Sequence, residues 1–167
     1  MTTAMGTISV GSTLPEGTVL QMGENGAEAV SMTGKLKGRN VVIFGLPGAY
    51  TGTCTTSHVP SFMRVMDKLA AKGVDEVICL SVNDPFVMKS WGDSTGAAAK
   101  GITFLGDGDA SYTKAIGMEF TVPDLAFFDR SKRYALYAVD GVVKVLNIGE
   151  ETNACEISGG EAMLAAI

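Results

Sequence analysis

Thiol chemistry is the first possibility this sequence offers. Cys54 closes the run Pro47-Gly48-Ala49-Tyr50-Thr51-Gly52-Thr53-Cys54, which follows the apolar stretch Val41 to Leu46 and opens a helical pattern. A thiol attacks only as the thiolate. A strand-to-helix junction supplies what a thiolate needs: backbone N–H groups without helix partners and the positive end of a helix dipole. A free cysteine is more often a small buried residue, but here Pro, Thr and Cys occupy a turn, which favours reactivity. Thr51 lies one helical turn before Cys54, so its hydroxyl shares the sulfur's side. That hydroxyl can donate to the thiolate, accept from a protonated substrate, or serve only as a helix N-cap. Pro47 stiffens the loop and removes one backbone donor. A helix dipole contributes ~1–2 kcal/mol to a thiolate and a nearby guanidinium a comparable amount, which predicts abundant thiolate at neutral pH.

His58, the only histidine, sits four residues after Cys54. A Cys-His pair would suit a cysteine hydrolase. No acid is spaced to orient the ring and Pro60 disturbs that turn, so a polar residue at the rim of the site is the favoured reading. Three cysteines and one histidine match no zinc spacing. There is no Cys-x-x-Cys, which argues against dithiol exchange, and the glycines form no phosphate-cradling motif.

The elements that must position Cys54 follow from the pattern. Gly17 to Met22 and Glu28 to Val30 read as a hairpin around Glu24-Asn25-Gly26. Lys35 to Asn40 is a polar connection, and Val41 to Leu46 is a strand apolar on both faces. One helix is expected from about Thr53 to Lys72, with Val59, Phe62, Met66 and Leu69 on one stripe and a kink at Pro60. Glu76 to Val82 is a second buried strand. Asp84-Pro85 caps a helix through Met88 and Trp91. Ile102 to Leu105 is a short strand, and Asp109 to Ile116 a short helix. Two β-rich runs, Tyr134 to Val139 and Val142 to Ile148, flank Asp140-Gly141, a strong hairpin signal. Ser158 to Glu161 has capping-box spacing before a last helix, Ala162 to Ile167. Alternating strands and helices predict a single α/β domain over residues 1–167, a three-layer sandwich in which the hairpin adds antiparallel strands to a mixed central sheet.

The composition fits an enzyme and excludes several other classes. Apolar residues make up 46% of 167 and charged residues 19%, as in an ordinary globular chain. The net charge is −5 with 13 scattered Lys and Arg, so nucleic acid and anionic membranes are not expected partners. The longest apolar stretch is broken by Gly45 and Pro47 and is too short to cross a bilayer. The first 34 residues hold no Lys or Arg, unlike a secretory or transit peptide. An odd count of three cysteines, with no disulfide framework, places the chain in a reducing compartment, the cytoplasm.

The stretch Phe44 to Cys54 resembles the peroxiredoxins, whose pattern is Pro-x-x-x-Thr/Ser-x-x-Cys, and most of all their type II or Prx5-like subfamily. His58-Val59-Pro60-Ser61-Phe62, Ser81-Val82-Asn83-Asp84-Pro85-Phe86-Val87-Met88, Ser131-Lys132-Arg133-Tyr134 and Asp140-Gly141-Val142-Val143-Lys144 extend the likeness over nearly the whole chain. The resemblance implies a thioredoxin-like fold and a thiol peroxidase that reduces hydrogen peroxide and organic hydroperoxides through a cysteine sulfenic acid. It makes Cys54 the peroxidatic cysteine, Thr51 and Pro47 the motif hydroxyl and proline, and Arg133 the arginine delivered from across the pocket. Arg130 and Lys132 are read as a solvated loop face.

The same resemblance offers two resolving cysteines, Cys79 (placed slightly ahead, though mid-strand and core-like) and Cys155. Direct attack by glutathione is the third route. No bound cofactor or metal is implied; the reductant is an external thiol, glutathione with glutaredoxin, or thioredoxin. A homodimer is implied, with Tyr50 and Phe86 as interface candidates. Gly52 stands where the subfamily usually has proline, which implies a more mobile loop. Val122 to Asp129 replaces a usually glycine-rich stretch, which bears on substrate preference. The alternative function is a peroxide sensor that passes oxidation to a partner. A binding module without catalysis is disfavoured by the complete Pro47, Thr51, Cys54 and Arg133 set.

Overall fold

The computed structural model describes residues 7–149 and 157–167. Its centre is a seven-stranded sheet. In chain order the strands are β1 (Thr18–Gly23), β2 (Gly26–Ser31), β3 (Asn40–Leu46), β4 (Glu76–Ser81), β5 (Thr103–Gly106), β8 (Arg133–Val139) and β9 (Val142–Gly149). Across the sheet they run β2-β1-β5-β4-β3-β8-β9. Strands β3, β4 and β5 are parallel neighbours, and β8 and β9 join antiparallel beside β3. The N-terminal hairpin attaches antiparallel at the other edge through β1 and β5.

Burial on both faces explains why β3 and β4 lack polar alternation. One face carries Val42, Phe44, Val77 and Cys79 against Phe62, Leu69, Trp91 and Met163. The other carries Ile43, Ile78, Leu80 and Leu136 against Met32, Leu36, Tyr112 and Ile116. The expected three-layer sandwich with a mixed sheet is therefore present. Both hairpins form where turn chemistry places them. Asp140 and Gly141 both have positive φ, 49° and 77°, as a tight two-residue β-turn requires.

The helices depart from expectation in ways the local chemistry explains. Met32–Leu36 forms a short helix, α1, where a polar connection is expected to begin; Ser31 Oγ accepts from Gly34 N at its start. The single helix expected over 53–72 is divided. Residues 52–53 are helical, Cys54–His58 is a π turn in which Val59 N bonds back to Cys54 O, and α2 (Val59–Met63) and α3 (Met66–Ala71) follow. Pro60 has no N–H to continue an ordinary ladder, so the turn before it widens. A second break falls at Val65.

Asp84 caps α4 (Pro85–Thr95) by accepting from Val87 N, as expected. α5 (Ser111–Ala115) ends before Gly117. The capping box at Ser158 does not form. α6 (Gly160–Ala166) has Gly159 at its cap position, and Glu161 pairs with Arg64 instead. A two-stranded sheet, β6 (Glu119–Val122) with β7 (Phe127–Ser131), was not foreseen. It stands where the unusual Val122 to Asp129 stretch lies.

Candidate active site

Leu46 ends β3 inside the core, and Pro47 turns the chain toward residue 52, where the helix opens. The loop between them is pinned from several sides. Thr51 Oγ1 donates to Gly48 O at 2.7 Å, and Thr51 N donates to the same carbonyl at 3.4 Å. Ala49 N donates to Asn83 Oδ1 at 3.0 Å, and Ser81 Oγ donates to that oxygen at 2.7 Å. Arg130 Nη1 donates to Pro47 O at 2.9 Å. The first helical bond runs from Thr55 N to Thr51 O, so the amides of residues 52–54 precede the helix ladder.

Cys54 is fully buried at the start of the π turn. Arg133 opens β8 and is also buried; its Nη2 donates to Cys54 Sγ at 3.4 Å. Arg133 Nη1 lies 3.1 Å from His58 Nδ1, and His58 Nε2 lies 2.9 Å from the Ser158 carbonyl. A guanidinium can only donate and a carbonyl can only accept, so the His58 proton is on Nε2 and its lone pair on Nδ1. Burial, and then the positive charge of Arg133, push the His58 pKa down to about 3. His58 is therefore a neutral acceptor. It packs against Phe44 and Phe62, their ring centroids 5.1 and 5.8 Å away.

A cavity of about 200 Å³ lies beside this cluster, lined by Pro47, Thr51, Gly52, Thr53, Leu125, Phe127 and Arg133. Thr51, Thr53 and Arg133 supply its polar groups, and the unusual β6–β7 segment supplies apolar Leu125 and Phe127. The Thr51 hydroxyl proton is committed to Gly48, which leaves that oxygen only accepting capacity, and Thr51 lines the cavity.

Pro47, Thr51, Cys54 and Arg133 thus come together as the motif implies. Two expectations need correction. His58 is no rim residue; it is wholly inside and bridges Arg133 to the C-terminal segment. Arg130 is not a solvated loop residue, because it holds the Pro47 carbonyl and lies 5.0 Å over the Phe127 ring. Lys132 is exposed, as expected. The spacing Cys54, His58, Phe62, four residues each on one face, is the signal that places His58 indoors. Asn83 stands within one of the sequence motifs, and nothing in its spacing points to Ala49.

Cys79 sits mid-strand in β4, fully buried in the same core face as Cys54. Burial, and then the charge of Cys54, push its pKa up. Cys155 lies outside the described residues. Tyr50 and Phe86 are 54% and 63% exposed, and Tyr50 bonds Ser90 through its hydroxyl. Among the described residues, no group of three or more His, Cys, Asp or Glu side chains could hold a metal ion. No described helix is long and apolar enough to cross a membrane.

Comparison with known proteins gives one family. The Redoxin family model matches residues 9–164. Peroxiredoxin-2C of Oryza sativa subsp. japonica is 44% identical over 164 residues, spanning 98% of this chain and 100% of that protein. Peroxiredoxin-2E-2, chloroplastic, of the same plant is 41% identical over 99% of this chain and 75% of its own length. The crystal structure of reduced Prx3 in complex with H2O2 from Vibrio vulnificus superposes with a TM-score of 0.86 at 43% identity, covering 95% of this chain and 98% of that one.

Proposed function

We propose, for a chain that belongs to the type II peroxiredoxins and is a thiol peroxidase, that Cys54 is the sulfur that takes oxygen from peroxide. One observation carries this reading: the Arg133 guanidinium lies 3.4 Å from Cys54 Sγ at the opening of a helix. The thiolate attacks the terminal oxygen of a hydroperoxide, and the O–O bond breaks. Cys54 becomes a sulfenic acid; the remaining oxygen leaves as hydroxide or alkoxide and takes a proton from solvent to form water or an alcohol. Arg133 supports charge on the sulfur and on the oxygens as the bond breaks. Thr51 accepts the hydroperoxide hydrogen and so orients the substrate. His58 holds Arg133 in place and takes no proton. The apolar wall of Leu125 and Phe127 suits organic hydroperoxides as well as hydrogen peroxide.

For resolution, the reading favours an external thiol, glutathione with glutaredoxin, or thioredoxin. The core packing of Cys79 and its raised pKa make it a weak nucleophile while the fold is intact. Peptide mapping after one equivalent of peroxide with glutathione present decides the point. A glutathione adduct on Cys54 is expected, and a Cys54–Cys79 or Cys54–Cys155 disulfide would overturn it. A homodimer using Tyr50 and Phe86, and residence in the cytoplasm, complete the proposal; sedimentation and fractionation check them.

The test of the catalytic assignment is Cys54→Ser. It should abolish peroxide consumption with a thiol reductant, and full retained activity would end the proposal. A peroxide sensor would react once and stall, so many turnovers per chain are also required.

A further inference from the structure

We infer that Arg130 is a second arginine of this site, a positioning residue that fixes the loop carrying Thr51; the inference rests on the peroxidase reading above. Its contacts differ in kind from those of Arg133. Arg133 touches the sulfur. Arg130 reaches the Pro47 carbonyl at 2.9 Å, and its guanidinium carbon stands 5.0 Å from the Phe127 ring centroid.

Because a peptide unit is planar, fixing the Pro47 carbonyl also fixes the Gly48 N–H. The next carbonyl along, Gly48 O, holds both the hydroxyl and the N–H of Thr51. The orientation set at Pro47 is thus passed to Thr51, which lines the cavity. Asn83 anchors Ala49 between them. Phe127 ties the device to the pocket: it lines the cavity, carries the guanidinium and meets Phe120 edge-on at 6.2 Å.

Gly48 supplies an independent observation. Its φ lies outside the left-handed region, so its backbone does not demand glycine. A Cβ there would come within 2.4 Å of Arg130 Nη1, with Thr51 Cγ2 at an ordinary 3.6 Å. Glycine at 48 makes room for the approach of Arg130. An alanine would displace the end of that flexible side chain, and with it the bond to Pro47.

The test is stopped-flow measurement of Cys54 oxidation by hydrogen peroxide in Arg130→Met, Arg130→Lys, Gly48→Ala and the double variant Gly48→Ala/Arg130→Met. Arg130→Met should lower the second-order rate constant about ten-fold, as a modest misplacement of a reacting group does. The midpoint of the pH–rate profile should stay in place, because Arg133 still meets the sulfur. Arg130→Lys should recover part of the rate. Gly48→Ala should match Arg130→Met, and the double variant should be no slower than either single one. A merely structural arginine would lower the melting temperature and leave the rate of the folded protein alone. Wild-type rates in folded Arg130→Met overturn the inference, as do additive losses in the double variant. Should Arg130→Met fail to fold, a wild-type rate in Gly48→Ala overturns it equally. None of these results touches the Cys54 assignment, which stands or falls on Cys54→Ser.

Discussion

Cys54 and Cys79 share one core face and are equally buried, yet their surroundings send them to opposite chemistries. Cys54 opens the π turn and has at 3.4 Å a guanidinium, that of Arg133, which itself lines a cavity. Cys79 lies in the middle of a parallel strand whose amides are spent on β3 and β5. Burial, and then the charge of Cys54, push its pKa up. Burial alone therefore does not decide reactivity. The free backbone donors and the charged partner settle it: the donors come from where the chain changes from strand to helix, and the partner, Arg133, from the start of β8.

The sharpest way to break the contrast is to remove the charge. Arg133→Met should slow oxidation of Cys54 by about 10²–10³-fold, the usual cost of losing one preorganised donor at a reacting centre. Stopped-flow kinetics check this, and a loss below three-fold would make the two cysteines more alike than argued here. Arg133→Lys should recover little, because a lysine cannot serve His58 and the sulfur in one plane.

A smaller effect is expected one bond further out. His58→Phe removes the bonds that His58 makes to the Ser158 carbonyl and to Arg133 Nη1, at a cost of about 1–3 kcal/mol in denaturant unfolding. His58→Gln should regain part of it. The pH dependence carries a further signature. Native His58 stays neutral down to about pH 3, while the unfolded chain takes up a proton near the ordinary 6.5. The unfolded state binds more protons between those values, so wild-type stability falls as pH drops through that window. The slope reaches at most ~1.4 kcal/mol per pH unit from this group. His58→Gln lacks this contribution, so its deficit at pH 7.5 should shrink at pH 4.

Cys79→Ser should destabilise the fold by about 1–2 kcal/mol, from a hydroxyl placed in an apolar strand. Steady-state turnover with glutathione should stay near wild type. Loss of turnover in a folded Cys79→Ser protein would move Cys79 to the reactive side of the comparison.

The smallest effect concerns Gly52. It is exposed, nothing approaches its missing Cβ, and it stands in the first helical turn. Gly52→Pro should raise stability by about 0.5–1 kcal/mol in denaturant unfolding, by restricting the unfolded chain.

The sheet was legible because its signals are local and redundant. Apolar runs at Val41 to Leu46 and Glu76 to Val82, and Asp140-Gly141 between two β-rich stretches, each point to one structure. Cys54 and Thr51 were legible from spacing within one turn. Arg133 was reachable only by resemblance, since 79 residues separate it from Cys54 and no periodicity links them. The roles of Arg130 and Asn83 depend on contacts made across the fold, whereas the inward turn of His58 follows from its spacing with Cys54 and Phe62. The π turn needed knowledge of how the chain absorbs Pro60 without breaking the ladder altogether. Ser158 shows the reverse error, a local capping signal overruled by tertiary packing: its carbonyl serves His58, and among the described residues its hydroxyl has no partner.

The most direct test of the account is to trap the first oxidation product. The protein would be treated with one equivalent of hydrogen peroxide in the presence of dimedone, and its peptides mapped by mass spectrometry. A dimedone adduct on Cys54 alone is expected, strongly reduced in Arg133→Met under the same brief exposure. An adduct on Cys79 instead, or undiminished labelling of Cys54 without the arginine, would contradict it.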